Sequence, residues 1–265
     1  PMDSIAKMKE AAREGWSTFA PFETMTGSVA PILVKFAGIN EGDCVLDVAC
    51  GTGVVALCMA RVGAEVTGLD LTPALLARAA ENAALANVTV EFREGDVENL
   101  PFNDASFDHV VSQFGHMFGP RPVITVSEML RVLKPGGIIA FSTWPPEFYI
   151  GLMFKLIGRY APPPPEGVPS PTAWGDPSIV RQRFGDAVTD LAFDSGTLLF
   201  PALSPAHVRL FMEANAGPVS RLVESLANDA DRLTRFRAEF ESLISNYFDD
   251  NAVRQDFLMS RARKV

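Results

Sequence analysis

The fold of this chain is decided by the stretch Val45-Leu46-Asp47-Val48-Ala49-Cys50-Gly51-Thr52-Gly53. Cys44 to Val48 form an apolar-rich run, which is typical of a central strand in a parallel sheet because both faces of such a strand are buried. The run leads directly into a turn with two glycines, and residues 54–62 then have a helical pattern. Glycines at this turn allow the backbone to approach a ligand closely, although any α/β protein also needs a tight turn here.

Outward from this unit, residues 41–144 alternate short β-rich runs with helical runs. Strands that alternate with helices indicate a parallel sheet with crossover helices, and hence a doubly wound, Rossmann-like α/β domain over these residues. Beyond the first strand, we predict strands at 65–69, 88–92, 107–111 and 138–142, with helices at 54–62, 75–85 and 123–133.

The two ends of the chain have a different character. Residues 1–40 are predicted to form a helical segment, with Pro31 at a helix start. In residues 145–265 we predict a stiff proline-rich linker at 161–171, strands at 192–200 and 255–260, and helices from 204 and over 232–247. We interpret the helices between these two late strands as a substrate-binding lid.

Two acidic residues follow the next two predicted strands. Asp70 lies about 20 residues after the glycine turn, where an acid can accept hydrogen bonds from both hydroxyls of a ribose. The alternative role is a helix N-cap, but Thr72 is the better candidate for that position. Asp96 ends the third strand and is interpreted as an adenine-binding residue, with a turn aspartate as the alternative. Since both acids follow parallel strands, they are expected to line one crevice.

These residues resemble the ordered motifs of class I S-adenosylmethionine-dependent methyltransferases. The similarity is greatest to the type 11 branch that includes the ubiquinone and menaquinone biosynthesis methyltransferases, and it covers residues 43–144 well. The matching motifs are Val45 to Gly53, Gly68-Leu69-Asp70, and residues 94–102, 106–108, 112–115 and 128–137. The resemblance implies a seven-stranded sheet, mostly parallel with an antiparallel last strand, and S-adenosylmethionine as the methyl donor.

The resemblance also implies a role for each matching position. It places Gly51 and Gly53 beside the methionine moiety, and Asp47 where it orders the loop and helps to hold the amino group. It assigns the ribose to Asp70 and the adenine amino group to Asp96. The further cofactor-binding residues that it implies are Ala49, Thr52, Leu71, Val97 and, beside the methionine portion, Gln113.

The predicted acceptor is a small apolar or aromatic molecule, because the lid segments at 148–160 and 204–247 are rich in apolar residues. Three N-terminal aromatic residues, Trp16, Phe19 and Phe22, lie where this family often closes over the cofactor. Ordinary packing of an amphipathic helix is the alternative explanation for them. Methyl transfer is then expected to proceed by in-line displacement, with positioning and desolvation contributing most of the rate.

His116 is the candidate catalytic residue. It follows the fourth predicted strand, and an imidazole with an ordinary pKa of about 6.5 can accept a proton near neutral pH. A phenol, enol or amine acceptor must lose a proton during transfer, so His116 is a candidate general base. The alternatives are a histidine that only orients the substrate or that packs beneath Phe118.

Composition excludes several classes of partner. The net charge is −9 and no basic block occurs, which disfavours nucleic acid and anionic membrane surfaces. No apolar run suffices for membrane insertion, and the absence of a secretory signal leads us to expect a cytoplasmic protein. The cysteines, Cys44, Cys50 and Cys58, contain no CxxC pair, so we expect reduced thiols and no metal site.

Two other functions stay open at this point. Gly51-Thr52-Gly53-Val54-Val55-Ala56 matches the loose GxGxxA pattern of an NAD-dependent oxidoreductase, although such a site needs neither Asp47 nor Asp96. No set of residues for hydride transfer accompanies it. The second alternative is a non-catalytic protein that binds S-adenosylmethionine, which turnover with any acceptor would exclude.

Overall fold

The centre of the fold is an eight-stranded sheet, present in a computed structural model that describes residues 4–265. The first three residues of the predicted N-terminal segment lie outside the described part. The strands are β1 (Cys44–Val48), β2 (Glu65–Asp70), β3 (Glu91–Glu94), β4 (Phe107–Gln113), β5 (Leu133–Thr143), β6 (Val188–Pro201), β7 (Phe248–Asp249) and β8 (Ala252–Lys264).

The strand order is β3-β2-β1-β4-β5-β8-β6, and the two-residue β7 pairs with β8. β1 to β5 are parallel, whereas β8 lies antiparallel between β5 and β6. The predicted doubly wound, mostly parallel sheet with an antiparallel last strand is therefore confirmed, and β7 is a short addition to it.

Helices cover both faces of the sheet and its carboxyl edge. They are α1 (Ser4–Gly15), α2 (Glu23–Gly27), α3 (Ala30–Ala37), α4 (Val54–Val62), α5 (Pro73–Leu85), α6 (Pro122–Val132), α7 (Tyr149–Tyr160), α8 (Pro177–Phe184), α9 (Pro205–Asn215), α10 (Gly217–Ser225) and α11 (Ala230–Ser245). α3, α4 and α5 pack side by side, and α6 packs beside α8 on the opposite face. α7 and α9 to α11 contact one another, and α1 contacts α10, so both ends of the chain supply the helices at the edge.

The apolar character of β1 has the expected structural cause. Val45, Leu46 and Val48 are fully buried because β1 has neighbours on both sides and helices on both faces. The turn that follows β1 therefore starts from a rigid position in the middle of the sheet. No helix of the described residues 4–265 is both long and apolar enough to span a membrane.

The position predicted for the third strand was wrong by three residues. The prediction placed it at 88–92, but β3 begins at Glu91 because its pairing with β2 begins at Thr67↔Glu91 and ends at Asp70↔Glu94. Asn87 has a φ of 53°, so the chain turns there and approaches the sheet through unpaired residues. The correction moves Asp96 two residues beyond the strand end and into the loop at the carboxyl edge.

Candidate functional site

A cavity of about 230 Å³ lies at the carboxyl edge of the sheet, beneath the edge helices. From β1 the chain order runs to β2 and β3 on one side of the sheet, and then to β4 and β5 on the other side. α/β sheets bind ligands at the carboxyl ends of the strands where the strand order reverses in this way. Nine of the residues predicted to bind the cofactor line this cavity: Asp47, Ala49, Gly51, Thr52, Asp70, Leu71, Asp96, Val97 and Gln113.

Gly51 and Gly53 have different surroundings within one turn. Gly51 has a φ of 56°, and a Cβ atom built on it would meet no atom within 4 Å, so this side of the loop is open to a ligand. Gly53 lies outside the cavity lining, and a Cβ there would come within 3.0 Å of Leu57 and 3.2 Å of Ala79. Gly53 therefore permits close packing at the start of α4, and its expected place beside the methionine moiety stays a prediction.

Asp70 joins the glycine turn to the end of β2. Its Oδ2 atom accepts a hydrogen bond from the backbone N–H of Gly51 at 2.8 Å, and Oδ1 accepts one from the N–H of Thr72 at 2.8 Å. Burial raises the pKa of this carboxyl, while the two backbone donors oppose the rise. Thr72 is the N-cap residue of α5, as predicted, although its side chain makes no capping hydrogen bond. Each Asp70 oxygen retains a second lone pair for a ligand hydroxyl.

Asp47 is a buried acid without a partner. Its side chain lies at the end of β1, the residue is 1% exposed, and neither carboxylate oxygen accepts a hydrogen bond from any described residue. Burial raises the pKa of Asp47 to about 8, the nearby backbone N–H of Ala56 partly opposes the rise, and the charge of Asp70 adds to it. Burying a carboxyl without a partner is costly, so this position fits a ligand that brings a cationic or hydrogen-donating group.

Asp96 is held by the N-terminal helix. The Nζ atom of Lys9 in α1 lies 2.5 Å from Asp96 Oδ2 and 2.5 Å from Glu98 Oε2, and Arg121 also pairs with Glu98. Asp96 Oδ1 accepts a hydrogen bond from the N–H of Glu98 at 2.9 Å. The sequence analysis missed Lys9, because a lysine in a helix carries no local signal for a partner 87 residues away.

The rest of the cavity wall is aromatic and apolar. The predicted N-terminal aromatic residues Trp16, Phe19 and Phe22 all line it, together with Phe114, Phe118, Trp144, Phe154, Met25, Met153 and Met212. The rings contact one another, with centroids 3.9 Å apart for Phe114 and Trp144 and 4.8 Å apart for Trp16 and Phe118. This aromatic wall, as we call these ten residues, lines the same cavity as the three acids.

The structure does not bring His116 to the cavity. His116 is fully buried, with ring centroids 4.4 Å from Phe141 and 4.7 Å from Trp174, and neither ring nitrogen has a hydrogen-bond partner in the described chain. Burial, with a smaller contribution from Arg183, lowers its pKa to about 3. His116 begins a short 3-10 helix, His116–Phe118, in which Phe118 lines the cavity while His116 is buried in the core. This placement does not support the expected general base and favours a packing role, against Phe141 and Trp174 rather than beneath Phe118.

Two glutamines also line the cavity, and the sequence analysis singled out only one of them. Gln113, at the end of β4, donates from Nε2 to the carbonyl oxygen of Thr26 at 2.9 Å and leaves Oε1 without a partner among residues 4–265. Gln255, in β8, was predicted only as part of a strand. Within the described residues, no group of three or more His, Cys, Asp or Glu side chains is arranged to hold a metal ion.

Comparisons with known proteins agree with the geometry of this site. A methyltransferase domain family model matches residues 46–141. An uncharacterised protein of Mycobacterium tuberculosis is 37% identical over 243 residues, which cover 91% of this chain and 89% of that protein. A demethylmenaquinone methyltransferase of Staphylococcus aureus is 39% identical over 110 residues, which cover 40% of this chain and 45% of that enzyme.

The fold is shared with solved structures. The structure of the YcgJ protein of Bacillus subtilis superposes with a TM-score of 0.60 at 20% identity, over 89% of this chain and 98% of that one. The residues that the family model covers, 46–141, include the glycine turn and all three acids of the cavity.

Proposed function

This chain belongs to the S-adenosylmethionine-dependent methyltransferase family, and we propose that it methylates a small apolar or aromatic acceptor molecule. Membership of the family identifies S-adenosylmethionine as the methyl donor and does not favour the NAD-dependent alternative. The observation that carries the proposed acceptor class is the aromatic wall, which lines the same cavity as the acids.

The residues at the carboxyl edge fit the donor. Asp47 offers an unpartnered buried carboxylate for the ammonium of the methionine portion, since a cation relieves the cost of burying the acid. The open side of Gly51 leaves room for that portion to pass the backbone. Asp70 has free lone pairs for the ribose hydroxyls, and Asp96 has acceptor oxygens for the adenine amino group.

The charges that line the cavity all lie at the donor end. They belong to Lys9, Asp47, Asp70 and Asp96, and Lys9 is paired with Asp96. The aromatic wall carries no charge of its own, so a charged acceptor would lose its hydration there without a partner in exchange. A neutral apolar or aromatic acceptor instead gains free energy by burying its surface against these rings.

The proposed chemistry depends on the alignment of donor and acceptor and on the exclusion of water from the cavity. S-adenosylmethionine supplies a methyl group already activated by a positively charged sulfur. The chain's own residues then hold the two reactants in line and exclude water. These two effects contribute most of the rate enhancement when the leaving group is already good. Trp16 and Phe118 close one side of the cavity by ring contact, and Phe154 adjoins Phe118 with centroids 5.8 Å apart.

Methyl transfer to a panel of acceptors tests the proposal. We expect radioactivity from methyl-labelled S-adenosylmethionine to appear in neutral aromatic acceptors and not in matched aliphatic amines or carboxylates. S-adenosylhomocysteine should inhibit the transfer. Transfer only to charged acceptors would contradict the proposed acceptor class. Donor binding with no transfer to any member of the panel would favour a non-catalytic S-adenosylmethionine-binding protein.

A further inference from the structure

We propose that Gln255 determines acceptor specificity by binding a neutral hydroxyl or carbonyl oxygen on an otherwise apolar acceptor. The proposal rests on the methyltransferase function proposed above and narrows its substrate class. Gln255 is then the polar residue in the otherwise apolar part of the cavity that binds the acceptor. It lies outside the family motifs.

The antiparallel direction of β8 brings Gln255 to the ligand-binding edge. β5 ends at Thr143, which pairs with Leu258 of β8. Because β8 runs the opposite way, the residues before Leu258 extend past the carboxyl end of β5. Gln255 lies three residues into this extension, and its side chain lines the cavity that also contains Trp144.

Gln255 interrupts an apolar stripe. Alternate residues of β8 point to the same face, and Val253, Phe257 and Met259 on the face of Gln255 are at most 1% exposed. Gln255 itself is 3% exposed, whereas its neighbour Arg254 on the other face is exposed. A valine or leucine would satisfy packing here, so a glutamine in this stripe indicates a polar partner.

The side-chain amide of Gln255 has no hydrogen-bond partner among residues 4–265. Burial of an amide without a partner is unfavourable, and a polar ligand atom would offset that cost. Gln113 differs, because its Nε2 atom is already bound to the carbonyl oxygen of Thr26. Gln255 is therefore the cavity glutamine whose donor and acceptor are both unused.

The chemistry of the amide selects the class of partner. An amide presents one acceptor oxygen and two N–H donors side by side, so it matches a hydroxyl, which both donates and accepts, or a carbonyl, which accepts. It carries no charge to compensate an ammonium or a carboxylate. Phe257, two residues along the same face, has its ring centroid 5.7 Å from that of Phe114, which places aromatic surface beside the amide.

Binding of matched probes tests the proposal without turnover. We would titrate 1-naphthol and naphthalene into the protein saturated with S-adenosylhomocysteine and follow fluorescence, since Trp16 and Trp144 line the cavity. The wild-type protein should bind 1-naphthol about tenfold more tightly than naphthalene, as one neutral hydrogen bond allows. Gln255→Met should abolish this preference by weakening 1-naphthol binding alone.

Controls separate specificity from damage to the fold. Gln182→Met makes the same change at an exposed glutamine of α8 and should keep the wild-type preference. Gln255→Asn, a smaller change that retains the amide, should keep part of the preference for 1-naphthol. Equal affinities for the two probes in the wild-type protein, no binding of 1-naphthol to it, or an unchanged preference in Gln255→Met would each overturn the proposal. An intact preference without any methyl transfer would contradict only the proposed function.

Discussion

Asp70 accepts a hydrogen bond at 2.8 Å from the backbone N–H of Gly51, and this contact connects the end of β2 to the glycine turn that follows β1. The two strands are neighbours with the register Val48↔Leu69, so their ends meet at the same level of the sheet. One carboxylate thus has two uses, because it holds the turn in shape and keeps lone pairs for a ligand.

Removal of this carboxylate should weaken donor binding. We expect Asp70→Ala to reduce the affinity for S-adenosylhomocysteine by on the order of 1–3 kcal/mol, since both ribose hydroxyls and the Gly51 N–H lose a partner. Titration calorimetry measures the change. Asp249→Ala removes an exposed aspartate far along the chain and serves as the control. An affinity that stays the same in Asp70→Ala would place the ribose elsewhere.

Asp47 should make folding stability depend on pH. In the folded chain the Asp47 carboxyl keeps its proton up to about pH 8, whereas the ordinary pKa of an aspartate is 3.8. Between these values the folded state binds more protons than the unfolded state, so the free energy of unfolding falls as pH rises. Asp47→Asn lacks this titration. We therefore expect the wild-type protein to lose stability relative to Asp47→Asn between about pH 5 and pH 8.

Thermal unfolding followed by circular dichroism at several pH values measures this difference. Saturating S-adenosylhomocysteine should reduce the fall in the wild-type protein, because its ammonium stabilises the ionised form of Asp47. Parallel curves for the two proteins across this range would mean that Asp47 does not hold a proton in the folded state.

Substitution of His116 should leave catalysis intact. The side chain is fully buried against Phe141 and Trp174 and lies outside the cavity, so it has no route to an acceptor. We expect His116→Leu, an apolar side chain of similar size, to keep the wild-type kcat and the same pH–rate profile. Loss of an ascending limb near neutral pH, with donor affinity unchanged, would restore His116 as the general base.

Lys9 should slow the release of the donor. Its ion pairs with Asp96 and Glu98 fasten α1 over the site, and Met8 and Ala12 of the same helix line the cavity. We expect Lys9→Met to speed dissociation of S-adenosylhomocysteine by roughly threefold to tenfold, as loss of a partly buried charged contact allows. Stopped-flow fluorescence measures the rate. Lys7→Met, on the exposed side of α1, should not change it, and equal rates in both variants would exclude this role.

The sequence predicts that the acids of this cavity lie together because they occur at or just beyond the carboxyl ends of parallel strands. A parallel sheet collects the residues after each strand at one edge, so Asp47, Asp70, Asp96 and Gln113 could be placed together from their spacing and motifs alone. Placing a residue at this edge depends on the order of the strands and motifs more than on the exact end of each strand. The three-residue error at β3 therefore did not separate Asp96 from the cavity.

The sequence does not predict the parts of the site that depend on a turn or a distant pairing. His116 and Phe118 are two residues apart, yet Phe118 lines the cavity and His116 lies outside it, because the short 3-10 helix His116–Phe118 directs the two side chains to different sides. Gln255 reaches the cavity only because β8 is antiparallel and enters between β5 and β6. A glutamine within an alternating apolar stripe was the available signal, and it indicates a polar partner only once the buried face is known.

The structure of a complex with S-adenosylhomocysteine tests the central claim most directly, since it locates every part of the donor at once. We expect the ammonium of the homocysteine portion within about 3.2 Å of an Asp47 oxygen. The ribose hydroxyls should contact Asp70, the adenine amino group should lie beside Asp96, and the sulfur should face the aromatic wall. A ligand bound outside this cavity, or one inside it whose ammonium lies away from Asp47 and whose sulfur faces solvent, would contradict the account.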